Sequence, residues 1–217
     1  MNFEFIFLGQ SILRYETPLD IFHTINNIYE QKFKQNTLQS ANKTLIGKIK
    51  DEHSLFYDGE DETLVKRHNE LPLNVINWFD EVFCHYLNFN KIKEYKTALN
   101  SIWVNEMKAN EYNPCHIHQG TLFTGLSSVM ILKLPDTYGV EYSAAETPQN
   151  GRLQLLGASS GQFARVDYEP PMLVRDFYIF PYDMRHTVYP FNGTTDTRRT
   201  LAANCDVLYN PVRNRGV

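Results

Sequence analysis

Asn113-Pro114-Cys115-His116-Ile117-His118-Gln119-Gly120 sets two histidines one residue apart, behind a proline and ahead of a glycine. In an extended strand, side chains at i and i+2 leave the same face, so His116 and His118 are expected to point at one spot. Imidazole is the commonest protein metal ligand, and two converging rings supply most of a divalent-metal site. A bare His-x-His also suits a solvated strand face. What favours the metal is Phe180-Pro181-Tyr182-Asp183-Met184-Arg185-His186, followed by Arg198-Arg199-Thr200. The order is a His pair, a long insertion, a lone His near the C-terminus, then an arginine on a strand.

Outward from that stretch, short β-like runs follow one another from Ala98, separated by Gly, Pro and Asn. They are expected at 98–108, 115–118, 125–133, 140–143, 152–156, 162–166, 172–180, 187–189 and 198–209. Before them, Phe3–Leu8 reads as a short strand. Thr17-Pro18 reads as the N-cap and first residue of a helix reaching Lys34, with Ile21, Phe22, Ile25, Ile28, Tyr29 and Phe33 at helical spacing. Residues 35–70 are polar and weakly periodic and read as loops with room for one short helix. Pro72 starts a second helix, where Val75, Ile76, Phe79, Val82, Phe83, Tyr86 and Leu87 form an apolar stripe wide enough to pack on a sheet. The expected fold is mainly β: a double-stranded β-helix (a cupin-like jelly roll) backed by N-terminal helices. Residues 1–217 read as one domain, with supporting elements over 1–97 and the jelly-roll core over 98–210.

At 217 residues the chain can bury one well-filled core. Its net charge of −4 offers no basic face, which argues against duplex nucleic acid as a partner. Three unpatterned cysteines give neither a disulfide framework nor a zinc ribbon and suit a reducing compartment. No apolar run approaches membrane-spanning length, and an acid at position 4 stands where a signal peptide carries basic residues. These features lead to the expectation of a cytoplasmic protein.

Jelly rolls of the cupin kind hold a metal at the open end of the barrel, with an H-x-H or H-x-D pair on one strand and a later His on another. His116, His118 and His186 fit that order, and three facial ligands leave three positions free. Ligand type alone does not choose among iron, zinc, copper and nickel. His23, His53, His68 and His85 read as surface residues on helices or polar loops. On the last strand, Arg198, Thr200, Ala202 and Asn204 share one face, while Arg199, Leu201, Ala203 and Cys205 share the other. A guanidinium fork grips a carboxylate bidentately and a hydroxyl two residues on reaches the same oxygens, so Arg198 with Thr200 forms a candidate carboxylate clamp.

Trp103-x-Asn105, Tyr112-Asn113 before His116-Ile117-His118, and Thr124-Gly125 resemble part of the 2-oxoglutarate/Fe(II) oxygenases with a short jelly-roll core. Asp176–Pro181, His186-Thr187-Val188-Tyr189-Pro190 and Arg198-x-Thr200-x-x-x-Asn204 continue the resemblance in order, over about residues 98–207. It implies iron ligands at His116, His118 and His186, and the distal carboxylate of 2-oxoglutarate on Arg198 and Thr200. It further implies hydroxylation of a small-molecule or peptidyl substrate, with release of succinate and carbon dioxide. The wider superfamily carries an acid where His118 stands; Asp183 is the nearby carboxylate, ranked below His118. Small oxygenases of this kind also occur in bacteriophage genomes, and the Asn- and Lys-rich N-terminal half suits an AT-rich one. Two other readings stand beside this one: a three-His cupin-type dioxygenase or isomerase that uses no 2-oxoglutarate, and a non-catalytic jelly-roll binding protein.

Overall fold

The computed structural model describes residues 9–43, 45–59, 66–141, 148–158 and 166–211. The first elements are β1 (Leu13–Glu16), α1 (Leu19–Gln35), β2 (Gln39–Ser40), β3 (Asp51–Tyr57), β4 (His68–Asn69) and α2 (Leu73–Phe89). They are followed by β5 (Tyr95–Met107), β6 (Asn113–His116), β7 (Gly125–Lys133), β8 (Leu153–Leu156) and β9 (Asp167–Tyr168). The chain closes with β10 (Asp176–Pro181), β11 (Arg185–Val188) and β12 (Arg198–Tyr209). A major sheet runs β1-β10-β7-β12-β5-β3-β2, with β4 also on β3, and a minor sheet runs β6-β11-β8-β9. Both are antiparallel. The architecture is a double-stranded β-helix.

Period-2 alternation along β12 divides the molecule. Leu201, Ala203 and Cys205 point outward into a core shared with Ile21, Ile25 and Tyr29 of α1 and Val75, Phe79 and Phe83 of α2. The apolar stripe of α2 is buried as its spacing predicts, because that stripe is the surface the sheet has to cover. The inward residues of the same strand line a cavity between the sheets.

Three expectations change. Residues 35–70 are not loops throughout: Asp51–Tyr57 forms β3, which pairs along β5 in the major sheet. The buried inward residues of β3 are Glu52 and Ser54, polar side chains on a cavity wall, so the strand lacks an alternating apolar signature. His53 therefore lies on a strand, against the rings of Tyr29 and Phe33, and His68 lies on β4, so neither is the helix or loop residue expected. The helix starts also shift by one residue. Pro18 and Pro72 occupy the N-cap positions themselves without side-chain caps, and the Thr17 amide instead donates to the Arg175 carbonyl at 2.9 Å. The strand expected at 3–8, most of that at 162–166 and half of that at 140–143 lie outside the described residues; Val140 and Glu141 are not in a strand.

Candidate metal centre

β6 and β11 are neighbours in the minor sheet, and their register puts His186 directly opposite His116. His118 lies two residues beyond the end of β6, where its amide donates to the Tyr182 carbonyl at 3.0 Å. The loop that carries it is held by Asp206 of β12. One Asp206 oxygen accepts the Thr121 and Leu122 amides at 3.0 and 3.2 Å, and the other accepts the Tyr182 hydroxyl at 3.1 Å. A Cβ on residue 120 would stand 2.0 Å from Asp206 Oδ1, so Gly120 is required by close approach.

The ligating nitrogens of His116, His118 and His186 lie within 4.8 Å of one another, with the Nε2 atoms of His118 and His186 3.0 Å apart. Carbonyls only accept, so His116 Nδ1 donates to Pro114 O at 2.7 Å and His186 Nδ1 to Met184 O at 3.1 Å. Each of those rings is thereby left with its Nε2 lone pair facing the cluster. Burial, reinforced by the neighbouring imidazoles, pushes His186 down to about 3 and His118 well below the usual histidine range. Burial also lowers His116. All three are neutral near pH 7, the state a metal requires. The Asn204 amide lies 3.3 Å from His118 Nδ1, and its oxygen accepts the Ser127 hydroxyl at 3.0 Å.

The histidines open onto a cavity of about 970 Å³ that also receives Arg198, Thr200, Ala202 and Asn204. Arg198 is 2% exposed, and its Nε and Nη2 are buried without a partner among the described residues. Burial pushes the guanidinium down only to about 10, so a full positive charge sits in the cavity wall unpaired. Arg199 faces the other way. Its Nε donates to Glu106 at 2.6 Å, Nη1 to Glu30 at 3.1 Å, and the guanidinium lies 4.8 Å from the Tyr29 ring centre. The chemistry of the site thus suits one metal ion and, along β12, one carboxylate.

Among the described residues the metal-capable cluster here comprises the three histidines alone. Asp183 lies elsewhere, accepting from Gln10 Nε2 at 2.7 Å. The cavity also takes in Glu52 and Asn105, both buried, neither of which sequence patterning marked as functional. For Glu52 the available signal was the spacing to Ser54, two polar residues alternating with His53 and Leu55.

Residues 101–204 match the model of the family described as "Putative 2OG-Fe(II) oxygenase", a span that contains the three histidines, Arg198 and Thr200. Similar in fold is a prolyl-4-hydroxylase from Pseudomonas putida, at 12% identity and a TM-score of 0.56, covering 91% of this chain and 92% of that one. AviO1 from Streptomyces viridochromogenes is 13% identical with a TM-score of 0.55, covering 94% and 90%. HygX from Streptomyces hygroscopicus, solved with nickel, 2-oxoglutarate and hygromycin B bound, is 8% identical with a TM-score of 0.53, covering 91% and 83%. No curated protein matches the sequence. Fold, histidine cluster and matched residues agree: just under half of the chain, residues 101–204, matches the 2OG-Fe(II) oxygenase family model, and the double-stranded β-helix is the fold of the similar structures.

Proposed function

We propose that this protein is a 2-oxoglutarate- and Fe(II)-dependent dioxygenase that hydroxylates a small-molecule or peptidyl substrate, releasing succinate and carbon dioxide. The observation that carries the reading is the orphaned Arg198 guanidinium in the same cavity as three neutral, converging histidines. A buried cation without a counter-charge is costly, and a carboxylate from solution is the ligand that relieves it.

The residues present fit the family's cofactor and co-substrate. His116, His118 and His186 would hold Fe(II), the carbonyls of Pro114 and Met184 fixing two of the rings. Arg198 and Thr200 would take the distal carboxylate of 2-oxoglutarate, with the small Ala202 between them and Asn204 leaving room for its chain. Bound together, iron and 2-oxoglutarate supply an oxidant generated from dioxygen and strong enough to attack a C–H bond. The protein's share is position and dryness. Val129, Leu153 and Val188 give the cavity apolar wall, and the Trp103 ring lies 5.8 Å from that of His118.

Succinate release dependent on both 2-oxoglutarate and oxygen tests the activity, and a His186→Ala protein should lose both metal and turnover. Calorimetric titration of 2-oxoglutarate into anaerobic Mn(II)-loaded protein tests the co-substrate. Metal retained without 2-oxoglutarate binding would turn the assignment to a three-His dioxygenase or isomerase. Substrate-independent silence with 2-oxoglutarate bound would turn it to a binding protein. Among the described residues no helix is long and apolar enough to cross a membrane.

A further inference from the structure

The cavity contains a second unanswered charge. Glu52 is 5% exposed and points inward from β3, and among the described residues its carboxylate makes no hydrogen bond or ion pair. Its backbone carbonyl accepts the Ala41 amide at 2.9 Å. Beside it in the ladder, Cα opposite Cα, stands Asn105 of β5, whose buried Oδ1 also lacks a partner. The next residue in the same row is Thr200 of β12. With strands about 4.8 Å apart, Glu52 lies roughly 10 Å across the sheet from the proposed 2-oxoglutarate clamp. It is far enough to leave that clamp alone and near enough to share the chamber. Lys43 also lines the chamber, but it is exposed and forms no ion pair with Glu52.

Acceptors without donors define the chemistry of the missing group. A carboxylate and an amide oxygen, adjacent and buried, call for a ligand atom that carries several N–H bonds and a positive charge. A hydroxyl would satisfy only one of them and leave the charge unanswered. Trp103, two residues along β5 from Asn105 and in ring contact with His118, gives such a group an apolar and π-rich path towards the histidines.

We propose that Glu52 and Asn105 are the substrate anchor of this enzyme, binding the protonated amine or guanidine of a basic substrate whose carbon chain runs past Trp103 to the metal centre. This assignment rests on the oxygenase reading for its function, but its binding chemistry can be tested separately. Burial raises the Glu52 carboxyl to about 7, with Glu111 adding to the effect, as expected of an acid whose counter-charge arrives with the ligand. Glu52 lies outside the residues matched by the family model and Asn105 inside them, so the anchor joins the N-terminal part of this chain to the matched core.

The experiment uses the full chain loaded with Mn(II), with n-butylammonium and n-butylguanidinium as probes and n-butanol as the neutral control. Paramagnetic broadening of the probe proton lines reports occupancy near the metal, with and without 2-oxoglutarate. At least one cation should be broadened and n-butanol much less so. Glu52→Gln should weaken the cation by about tenfold or more, while Glu52→Asp retains part of the binding. Calorimetry on the same samples should show 2-oxoglutarate affinity unchanged in Glu52→Gln. Equal broadening by n-butanol, no broadening by either cation, or cation binding intact in Glu52→Gln overturns the anchor. Loss of 2-oxoglutarate affinity in Glu52→Gln would also overturn it, by placing Glu52 in the co-substrate site. If the parent protein binds the cations through Glu52 but no 2-oxoglutarate, the anchor stands and the oxygenase reading falls.

Discussion

The two faces of the major sheet treat polar groups in opposite ways. On the outer face Arg199 is bound to Glu106 and Glu30 and covers Tyr29, while Glu106 also accepts the hydroxyls of Tyr29 and Thr197. On the inner face, one residue away, among the described residues Arg198 has no partner on Nε or Nη2, Asn105 Oδ1 has none, and Glu52 has no counter-charge. The outer face satisfies itself because its partners are covalently part of the fold. The inner face is left incomplete, and buried incompleteness is the mark of a surface completed by a ligand.

That contrast can be broken by mutation. The largest stability effect belongs to the outer face. Phe79 is fully buried among Trp78, Phe83 and Phe177, and Phe79→Ala should cost about 3–5 kcal/mol in denaturant unfolding. A variant as stable as its parent would mean that α2 is not what closes this face.

The arginine pair sharpens the comparison directly. Arg199→Met strands the buried Glu106 carboxylate and should cost about 3–5 kcal/mol of stability. Arg198→Met removes a cation that has no partner, so unfolding should be nearly unchanged or slightly harder. Its cost should appear instead in calorimetry, as about 2–5 kcal/mol of 2-oxoglutarate affinity. Equal stability losses in the two variants would abolish the distinction between the faces.

A third effect is pH-dependent. The Glu52 carboxyl is raised from 4.5 to about 7 in the folded protein. An acid with a raised folded pKa contributes stability that is fully present below its unfolded value and is lost as pH rises through its folded value. The parent should therefore weaken between about pH 4.5 and 7, by roughly 3 kcal/mol. Glu52→Gln should match it near pH 4 and exceed it at pH 8; parallel curves would show that the carboxylate already has a partner. The smallest effect is expected at Asp206→Asn, which weakens the charge-assisted ties to the His118 loop by about 1 kcal/mol. Metal affinity, read by competition with a chelator, should fall with it.

Much of this organisation was legible beforehand. The stripe on α2 follows from helical spacing, and the strands after Ala98 follow from short β-like runs between turn residues. The His pair and the distal His were conspicuous because of their i, i+2 spacing and their order ahead of Arg198. What stayed hidden was β3. A strand whose outer face meets helices and whose inner face lines a polar cavity alternates histidine and leucine with glutamate and serine, and local patterning reads it as loop. The start of α1 was misjudged for a related reason: Thr17 is held by Arg175, a partner 158 residues away.

The two arginines mark the boundary between the two kinds of information. The amino-acid sequence by itself determined that Arg198 and Arg199 must face opposite ways, because side chains alternate along any strand. It also determined that Arg198 shares its face with Thr200 and Asn204. Only the tertiary structure decided which face is inside: helices α1 and α2 cover the side carrying Leu201, Ala203 and Cys205, and Glu106 comes to Arg199 from the neighbouring strand. It alone set Glu52 and Asn105 side by side, since the register between β3 and β5 depends on pairing across some fifty residues of intervening chain. Alternation is a local property of the backbone, whereas a counter-charge, or the lack of one, exists only after the chain has closed.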